Sequence, residues 1–157
     1  MRSAPSAVNR PLAYMDKEAR LNKITEAIIG ASMNVHRALG PGLLESAYEA
    51  CVLHELSMTG LKVAQQKPLP VIYRGVTLDC GYRLDLMVED EVIVEIKSIE
   101  KLLPIHKAQL MSYLKLAGCN VGLLINFNVE VLKDGIQRVV SGFPDKNSAT
   151  SAPSAVK

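Results

Sequence analysis

The stretch RLDLMVEDEVIVEIKS, residues 83–98, decides the fold because it contains two apolar strands separated by an acidic turn. If residues 89–91 form a three-residue hairpin loop, which is a common length, Asp85 stands directly opposite Glu95. Lys97 follows two residues later on the same face. The alternate positions are apolar and predict a buried face that fixes the register: Leu84, Leu86, Val88, Val92, Val94 and Ile96. The sequence therefore predicts a hairpin with three charges grouped on one side, away from its turn.

Asp85 and Glu95 are two carboxylates in a position where like charges destabilise a sheet by about 0.2 to 1 kcal/mol. A divalent cation between them would reverse that sign. Oxygen ligands suit Mg²⁺, which keeps several waters and completes its octahedron with substrate phosphate. Lys97 would then reach the attacking water or the scissile phosphate. The alternative is the solvated face of an edge strand, with Lys97 or Arg83 neutralising the acids, because exposed ion pairs are common and contribute little.

Two helices are predicted before this hairpin. The first runs from about residue 16 to the GPG at residues 40–42, where Gly40 suits the residue after a helix and Pro41 prevents continuation. Its apolar face is formed by Leu21, Ile24, Ile28, Ala31, Val35 and Ala38. The second helix spans about residues 42–59 and ends at Gly60. Its expected buried ridge consists of Leu44, Ala47, Cys51, His54 and Met58.

Strand patterns fill the rest of the chain. LPVIYRGVTL, residues 69–78, predicts a hairpin that turns at Arg74 and Gly75, and the alternation from Val76 to Val88 predicts one long strand with a buried face. After residue 98, a helix is predicted from near Pro104 to Gly118, with burial expected at Ala108, Met111 and Leu114.

VGLLINF, residues 121–127, is typical of a central strand that is covered on both faces and reached by a parallel crossover. EVLKDGIQRVV, residues 130–140, then predicts one or two further strands with Asp134 and Gly135 as the turn. The predicted order is α-α-β-β-β-α-β-β, an α/β protein with a mixed sheet.

Composition fits one globular domain, because the chain has 157 residues, 48% of them hydrophobic and 22% charged. Aromatic residues make up only 4%, so recognition of single strands by base stacking is disfavoured. The net charge of +2 permits a nucleic-acid partner without requiring one. The three cysteines form no CxxC pair, which argues against a disulfide framework or a zinc site.

The ends of the chain repeat one hexapeptide, SAPSAV, at residues 3–8 and 151–156. Such Ser-, Ala- and Pro-rich segments bury too little apolar surface to fold, so we expect flexible tails at residues 1–15 and 144–157 around a domain at residues 16–143. No apolar run is long enough to span a bilayer and the N-terminus lacks a secretory signal. We therefore expect a cytoplasmic protein without a membrane partner.

Two further motifs carry polar residues at suggestive positions. GLLESAY, residues 42–48, places Glu45 in the first turn of a helix, where an acid also interacts favourably with the helix dipole by about 0.3 to 1 kcal/mol. HKAQLMSYL, residues 106–114, places His106, Gln109 and Tyr113 along one flank of a helix, which is also typical of an ordinary polar face. Neither motif is specific by itself.

Together these parts resemble the PD-(D/E)XK nuclease superfamily, in which an Asp precedes a Glu-x-Lys tripeptide on a neighbouring strand. GLLESAY is similar to the motif that names the GxxExxY proteins, a bacterial group usually assigned to that superfamily, and the resemblance runs from about residue 20 to 140. It implies a restriction-endonuclease-like core, with helices flanking a mixed sheet of four to six strands. Leu84 stands where the superfamily name has proline, a position that varies among its members.

The resemblance implies roles for individual residues by position. It implies a catalytic role for Lys97 together with Glu95 and Asp85. It implies metal ligation by three carboxylates and one main-chain carbonyl, those of Asp85, Glu95, Glu45 and Ile96. Gln109 and Tyr113 are similar to the Gln-x-x-x-Tyr of the RecB-like branch, where they help hold the site or the DNA.

The resulting hypothesis is a nuclease that hydrolyses phosphodiester bonds with Mg²⁺, or with Mn²⁺ in its place, and DNA is the expected substrate by analogy. Because the basic charge is slight, a homodimer or a partner protein would strengthen the grip on nucleic acid. A second hypothesis is an inactive nuclease-fold module for nucleic-acid binding or assembly, although a scaffold needs no opposed acids. The third, a glycosidase carboxylate pair, is least favoured because five Tyr and two Phe supply few sugar-stacking rings.

Overall fold

The computed structural model describes residues 11–142, and both SAPSAV copies and most of the predicted tails lie outside this range. The helices are α1 Lys17–Leu39, α2 Glu45–Ser57 and α3 Pro104–Ala117. The strands are β1 Val63–Pro68, β2 Val71–Tyr73, β3 Val76–Leu78, β4 Arg83–Val88, β5 Val92–Lys97, β6 Val121–Asn126 and β7 Ile136–Val140. Short 3-10 turns occupy Leu12–Tyr14 and Leu132–Gly135. None of the helices in residues 11–142 combines the length and apolarity that crossing a bilayer requires.

A five-stranded mixed sheet in the order β1-β4-β5-β6-β7 forms the centre of the molecule. Only β5 and β6 are parallel, and every residue of β6 is buried, as predicted for a central strand reached through a crossover helix. Three helices accompany this sheet, so the predicted α/β fold class with a restriction-endonuclease-like core and a sheet of four to six strands is confirmed. The predicted element order is short by two strands, because β1 was not predicted and the predicted strand at residues 76–88 is divided into β3 and β4.

Two hydrophobic cores lie on opposite faces of the sheet. The first core joins α1 and α2 to the sheet through Leu21, Ile24, Ile28, Val35, Tyr48, Val52, Leu56, Leu86, Val88, Val92, Val94, Ile96, Val121, Leu123, Ile125, Phe127 and neighbours. The second core joins α3 to the sheet through Leu69, Leu84, Met87, Ile93, Leu110, Tyr113, Leu114, Cys119, Leu124 and Val139. Leu12 also packs against the first core, ahead of the predicted domain start at residue 16.

The β4–β5 hairpin has the predicted register, with Val88 paired to Val92 and Leu86 to Val94. The small hairpin of β2 and β3 also turns at Arg74 and Gly75 as predicted. Beyond β6 the structure contains one further strand, β7, and the Asp134–Gly135 pair lies in the 3-10 turn that precedes it.

The predicted buried ridge of α2 is wrong. Leu44 and Met58 are 77% and 65% exposed, whereas the buried residues of this helix are Tyr48, Glu49, Val52 and Leu56. Apolar residues occur on more than one side of this helix, so periodicity alone does not single out a ridge. The Tyr48 ring stacks on Phe127 at 4.5 Å between centroids, and this long-range contact sets the rotation of the helix.

The predicted long strand from Val76 to Val88 is also wrong. The chain breaks between β3 and β4, where Gly81 adopts φ +78° and its N–H donates to Asp79 Oδ1 at 3.0 Å. The β2–β3 hairpin therefore stands apart from the main sheet, and its apolar side chains are largely exposed. The partner of β4 is β1, an edge strand whose sequence VAQQKP is too polar to be predicted from alternation.

Candidate active site

At Asp85 the main-chain pairing of β4 with β5 is replaced by hydrogen bonds from main-chain N–H groups to side-chain carboxylates. The main-chain N–H of Asp85 donates to Glu95 Oε2 at 2.9 Å, and the N–H of Ile96 donates to Asp85 Oδ2 at 2.8 Å. Each carboxylate is thus anchored to the opposite strand by one oxygen. The two acids are brought together as the hairpin register requires, and the other oxygen of each remains available.

β4 changes face at Asp85. Leu86 and Val88 pack in the first core, but Leu84 packs in the second core. A regular strand would place Leu84 and Leu86 on the same face, so the predicted position of Leu84 on the common buried face is wrong. The irregularity is local, because both neighbours of Asp85 are fully buried and only the acid between them is half-exposed.

The irregularity extends into β1, the other neighbour of β4. The pairing register of β1 with β4 includes Gln65 and Lys67 but omits Gln66, the residue that would face Asp85. Gln66 has φ +50°, a left-handed conformation that non-glycine residues seldom adopt. Asp85 therefore lies in a gap of the sheet where neither neighbouring strand pairs with it in the regular way.

Burial dominates the electrostatics of the two acids. It raises the pKa of Asp85 to about 6, although the hydrogen bond from Ile96 opposes this shift. Burial and the adjacent charge of Asp85 raise the pKa of Glu95 to about 8, and only 7% of Glu95 is exposed. The charge of Lys97 lowers both pKa values. Among residues 11–142, neither acid forms an ion pair within 4 Å, so no cation neutralises them directly.

Lys97 ends β5 beside the two acids and is half-buried. Its carbonyl accepts from Phe127 N–H at 2.9 Å, which ties the end of β5 to the end of β6. Within the described part of the chain its ammonium group makes no salt bridge. A cation therefore lies near the half-exposed Asp85 and the buried Glu95 without being paired to either one.

The GLLESAY motif contacts the chain just after Lys97. Glu45 is exposed and its Oε1 accepts from Ser98 N–H at 3.3 Å, while Ser98 Oγ donates to the carbonyl of Leu43 at 2.5 Å. The hydroxyl of Tyr48 donates to the carbonyl of Gly40 at 2.5 Å and accepts from Leu43 N–H at 3.1 Å. The motif thus holds the loop before α2 against the site end of β5.

The predicted residues of α3 divide into two groups. Tyr113 is buried beside the acids, its ring contacts Tyr82 at 5.7 Å, and burial together with the charge of Glu95 raises its pKa. Gln109 lies one helical turn before Tyr113 and opposes this rise in its pKa. His106 has a structural role, because its Nδ1 accepts from Leu103 N–H at 2.8 Å and caps the start of the helix.

Three residues near the site were missed by the sequence reasoning. Glu49 of α2 is buried and accepts hydrogen bonds from the side chains of Gln65 and Gln66. One signal was available for Glu49, since it lies four residues after Glu45 and therefore on the same side of the helix. No sequence signal marks the two glutamines.

Comparison with known proteins agrees with this geometry. A family model described as the PD-(D/E)XK nuclease superfamily matches residues 22–139, which is most of the chain. The chain belongs to the PD-(D/E)XK nuclease superfamily. No curated protein and no solved structure gives a significant match. Membership supports a nuclease function in general and suggests a nucleic-acid substrate.

PD-(D/E)XK nucleases generally use divalent metal ions, and the donors in this domain fit such an ion. Asp85 and Glu95 offer hard carboxylate oxygens without a competing ion pair. Within residues 11–142, no three or more His, Cys, Asp or Glu side chains are already arranged around one metal position. Two carboxylates are enough protein ligands for a divalent cation that keeps several of its waters.

Proposed function

We propose that this PD-(D/E)XK protein is a Mg²⁺-dependent nuclease that hydrolyses phosphodiester bonds in DNA, with Mn²⁺ able to replace Mg²⁺. The observation that carries the proposal is the carboxylate pair of buried Glu95 and half-exposed Asp85, held together without an ion pair beside Lys97. An arrangement that costs stability is expected where a functional site requires it.

The residues have distinct parts in this proposal. Asp85 and Glu95 would hold the cation with their carboxylate oxygens, and Glu45 and the carbonyl of Ile96 would be the further ligands. When bound, the cation polarises the phosphate and lowers the pKa of the attacking water. Lys97 positions that water or a phosphate oxygen and stabilises negative charge that develops on the phosphate.

The flank of α3 supports this site from the other side. Tyr113 contacts the β4 side through Tyr82, and in this proposal Gln109 orients the hydroxyl of Tyr113. We assign this pair the supporting role that Gln-x-x-x-Tyr has in RecB-like nucleases, and we assign the chain to the GxxExxY proteins on its GLLESAY motif. DNA rather than RNA, and grip from a homodimer or a partner protein, are part of the same proposal.

The test is an incubation of purified protein with linear, circular and single-stranded DNA and with RNA, in Mg²⁺, Mn²⁺ or EDTA. We expect cleavage of DNA that requires the metal and is lost in Lys97→Ala. Lys62→Ala is the matched control, because Lys62 is an exposed lysine at the opposite end of the β4–β5 hairpin. Cleavage that persists in EDTA or in Lys97→Ala would overturn the proposal, and a wild type inactive on every substrate would favour the non-catalytic module.

A further inference from the structure

Glu49 is a buried carboxylate that the proposed chemistry does not use. Only 8% of it is exposed, and within the described residues it has no ion-pair partner. Its Oε2 accepts from Gln65 Nε2 at 2.8 Å and its Oε1 from Gln66 Nε2 at 2.7 Å. Two amide groups from one strand therefore fix the orientation of a single carboxylate on α2.

Gln66 connects this carboxylate to the candidate site. Its side-chain nitrogen also lies 3.4 Å from Asp85 Oδ1, the oxygen that Ile96 does not use. A contact of 3.4 Å is long for an N–H···O hydrogen bond, so the amide orients the Asp85 oxygen without occupying it fully. One amide group thus lies between the carboxylates of Glu49 and Asp85.

The backbone of Gln66 departs from regular strand geometry to make this connection. Gln66 has φ +50° in the middle of β1 and drops out of the pairing with β4. Non-glycine residues in this region are strained and persist only where the surrounding structure holds them, often at functional sites. Gln65 and Gln66 would point to opposite faces of a regular strand, yet both reach Glu49.

Glu49 is also electrically coupled to both acids of the site. The charge of Glu49 raises the pKa of Asp85, and only burial and the hydrogen bond from Ile96 have larger effects on this pKa. The charge of Glu45 raises it less. Glu49 also contributes to the raised pKa of Glu95, after burial and the contributions of Asp85 and Lys97. The charge of Glu49 thus raises the pKa of both site acids.

We infer that Glu49 is a positioning residue of the candidate active site: through the amide of Gln66 it aims Asp85 Oδ1 at the place where a divalent cation binds. The inference rests on the proposed function, because it concerns the same cation. Glu49 also adds negative charge, which strengthens the attraction of the site for that cation. Its effect is on metal affinity, and the step at the phosphate is left to Asp85, Glu95 and Lys97.

The test measures the rise in melting temperature on titration with Mg²⁺ and, separately, with Mn²⁺, which reports binding without requiring cleavage. We expect Glu49→Gln to weaken the apparent metal affinity by about 10- to 100-fold, the range typical of residues that orient metal ligands. At saturating metal, kcat should fall much less than the metal affinity. Glu55→Gln, at a half-buried position in the same helix, is the control and should leave the titration unchanged.

A second variant keeps the inference testable if Glu49→Gln folds poorly. Gln66→Gly removes the amide but suits the left-handed backbone, so relief of backbone strain offsets part of the stability lost with the hydrogen bond to Glu49. Its metal affinity should fall relative to the wild type. A metal-induced rise in melting temperature that is as large as in the wild type, at the same metal concentrations, would show a merely structural link between α2 and β1 and would overturn the inference.

Asp85→Asn separates failure of this inference from failure of the proposed function. If the wild type shows a metal-induced rise that Asp85→Asn abolishes but both Glu49→Gln and Gln66→Gly retain, the site stands and the positioning role is wrong. If the wild type shows no metal-induced rise and no cleavage, the proposed function and the inference both fail.

Discussion

At the turn of the β4–β5 hairpin two acids form ion pairs, whereas at the opposite end two acids share a gap in the sheet without an ion pair. Glu91 forms a two-bond ion pair with Arg20, at 2.5 and 2.7 Å, and Asp90 lies 2.7 Å from the ammonium of Lys62. Glu89 Oε2 accepts from Lys62 N–H at 2.5 Å. Asp85 and Glu95 instead accept only from main-chain groups and a loosely placed amide.

The two ends consequently have opposite effects on the protonation of their acids. Hydrogen bonding and the charge of Lys62 lower the pKa of Asp90, whereas burial raises the pKa of Asp85 and of Glu95. Folding therefore favours the charged form of Asp90. The site acids are held where their charged forms are disfavoured, which is expected where function, and not stability, selects the residue.

The largest expected difference is in cleavage. Glu95→Gln and Glu91→Gln make the same neutral replacement at the two ends of one hairpin. We expect Glu95→Gln to reduce kcat/KM for DNA by more than about 100-fold. Substitution of residues that only orient metal ligands already lowers metal affinity or activity by about 10- to 100-fold. Glu91→Gln should stay close to wild type in the same assay. Equal losses in the two variants would show that Glu95 contributes no more to cleavage than Glu91 does.

The next largest difference is in the dependence of stability on pH without metal. Because the folded-state pKa of Glu95 is about 8, against an ordinary 4.5, the native protein keeps a proton that the unfolded chain releases between those values. Stability is therefore greatest below about pH 4.5 for this group and is lost as the pH rises through 8. Asp85 acts in the same sense between 3.8 and about 6. The predicted loss is on the order of a few kcal/mol.

Urea unfolding in EDTA at pH 5 and pH 8 measures this loss. Glu95→Gln should remove most of the difference in the free energy of unfolding between the two pH values. This variant should also be more stable than the wild type at pH 8, because a neutral amide replaces a buried charge. Glu91→Gln should keep the wild-type difference. A wild type that is equally stable at both pH values would show that the site acids are better solvated than their burial indicates.

Which parts of this contrast the sequence could predict depends on how far apart along the chain the interacting residues lie. The register of the β4–β5 hairpin was predictable, because the loop length and the alternation of apolar residues agree on a single pairing. That register also placed Asp85, Glu95 and Lys97 together. Their proximity was thus predictable, whereas their roles as metal ligands and catalytic lysine stay predictions.

The remaining parts of the site depend on contacts between distant segments. The rotation of α2 is set by Tyr48 stacking on Phe127, so the burial of Glu49 could not be read from helical periodicity. The left-handed Gln66 is a tertiary effect, because nothing in VAQQKP marks it locally. The switch of Leu84 to the second core has the same origin, since it occurs where β4 loses regular pairing on both sides.

A smaller effect is expected from the ion pair of Arg20 with Glu91, whose side chains are 26% and 28% exposed. A double-mutant cycle of Arg20→Gln and Glu91→Gln should give a coupling free energy of about 0.5 to 1 kcal/mol at low salt, in the upper part of the range for surface pairs because the geometry is bidentate. Urea unfolding measures it, and 1 M NaCl should reduce it. A coupling near zero would mean that the ion pair of Arg20 with Glu91 contributes nothing measurable to folding.

The smallest effect is expected from Lys62→Ala, because Lys62 and Asp90 are 69% and 51% exposed and water screens their attraction. The urea midpoint should not change measurably, and Lys67, 3.4 Å from Asp90, remains as a second cation. The pKa of Asp90, followed by NMR, should nevertheless rise toward its ordinary value, since Lys62 is the main cause of its lowering. A shifted pKa with an unchanged midpoint would show that charge pairing at the turn tunes protonation locally, whereas a midpoint change as large as that of Arg20→Gln would show that exposure does not separate the two pairs.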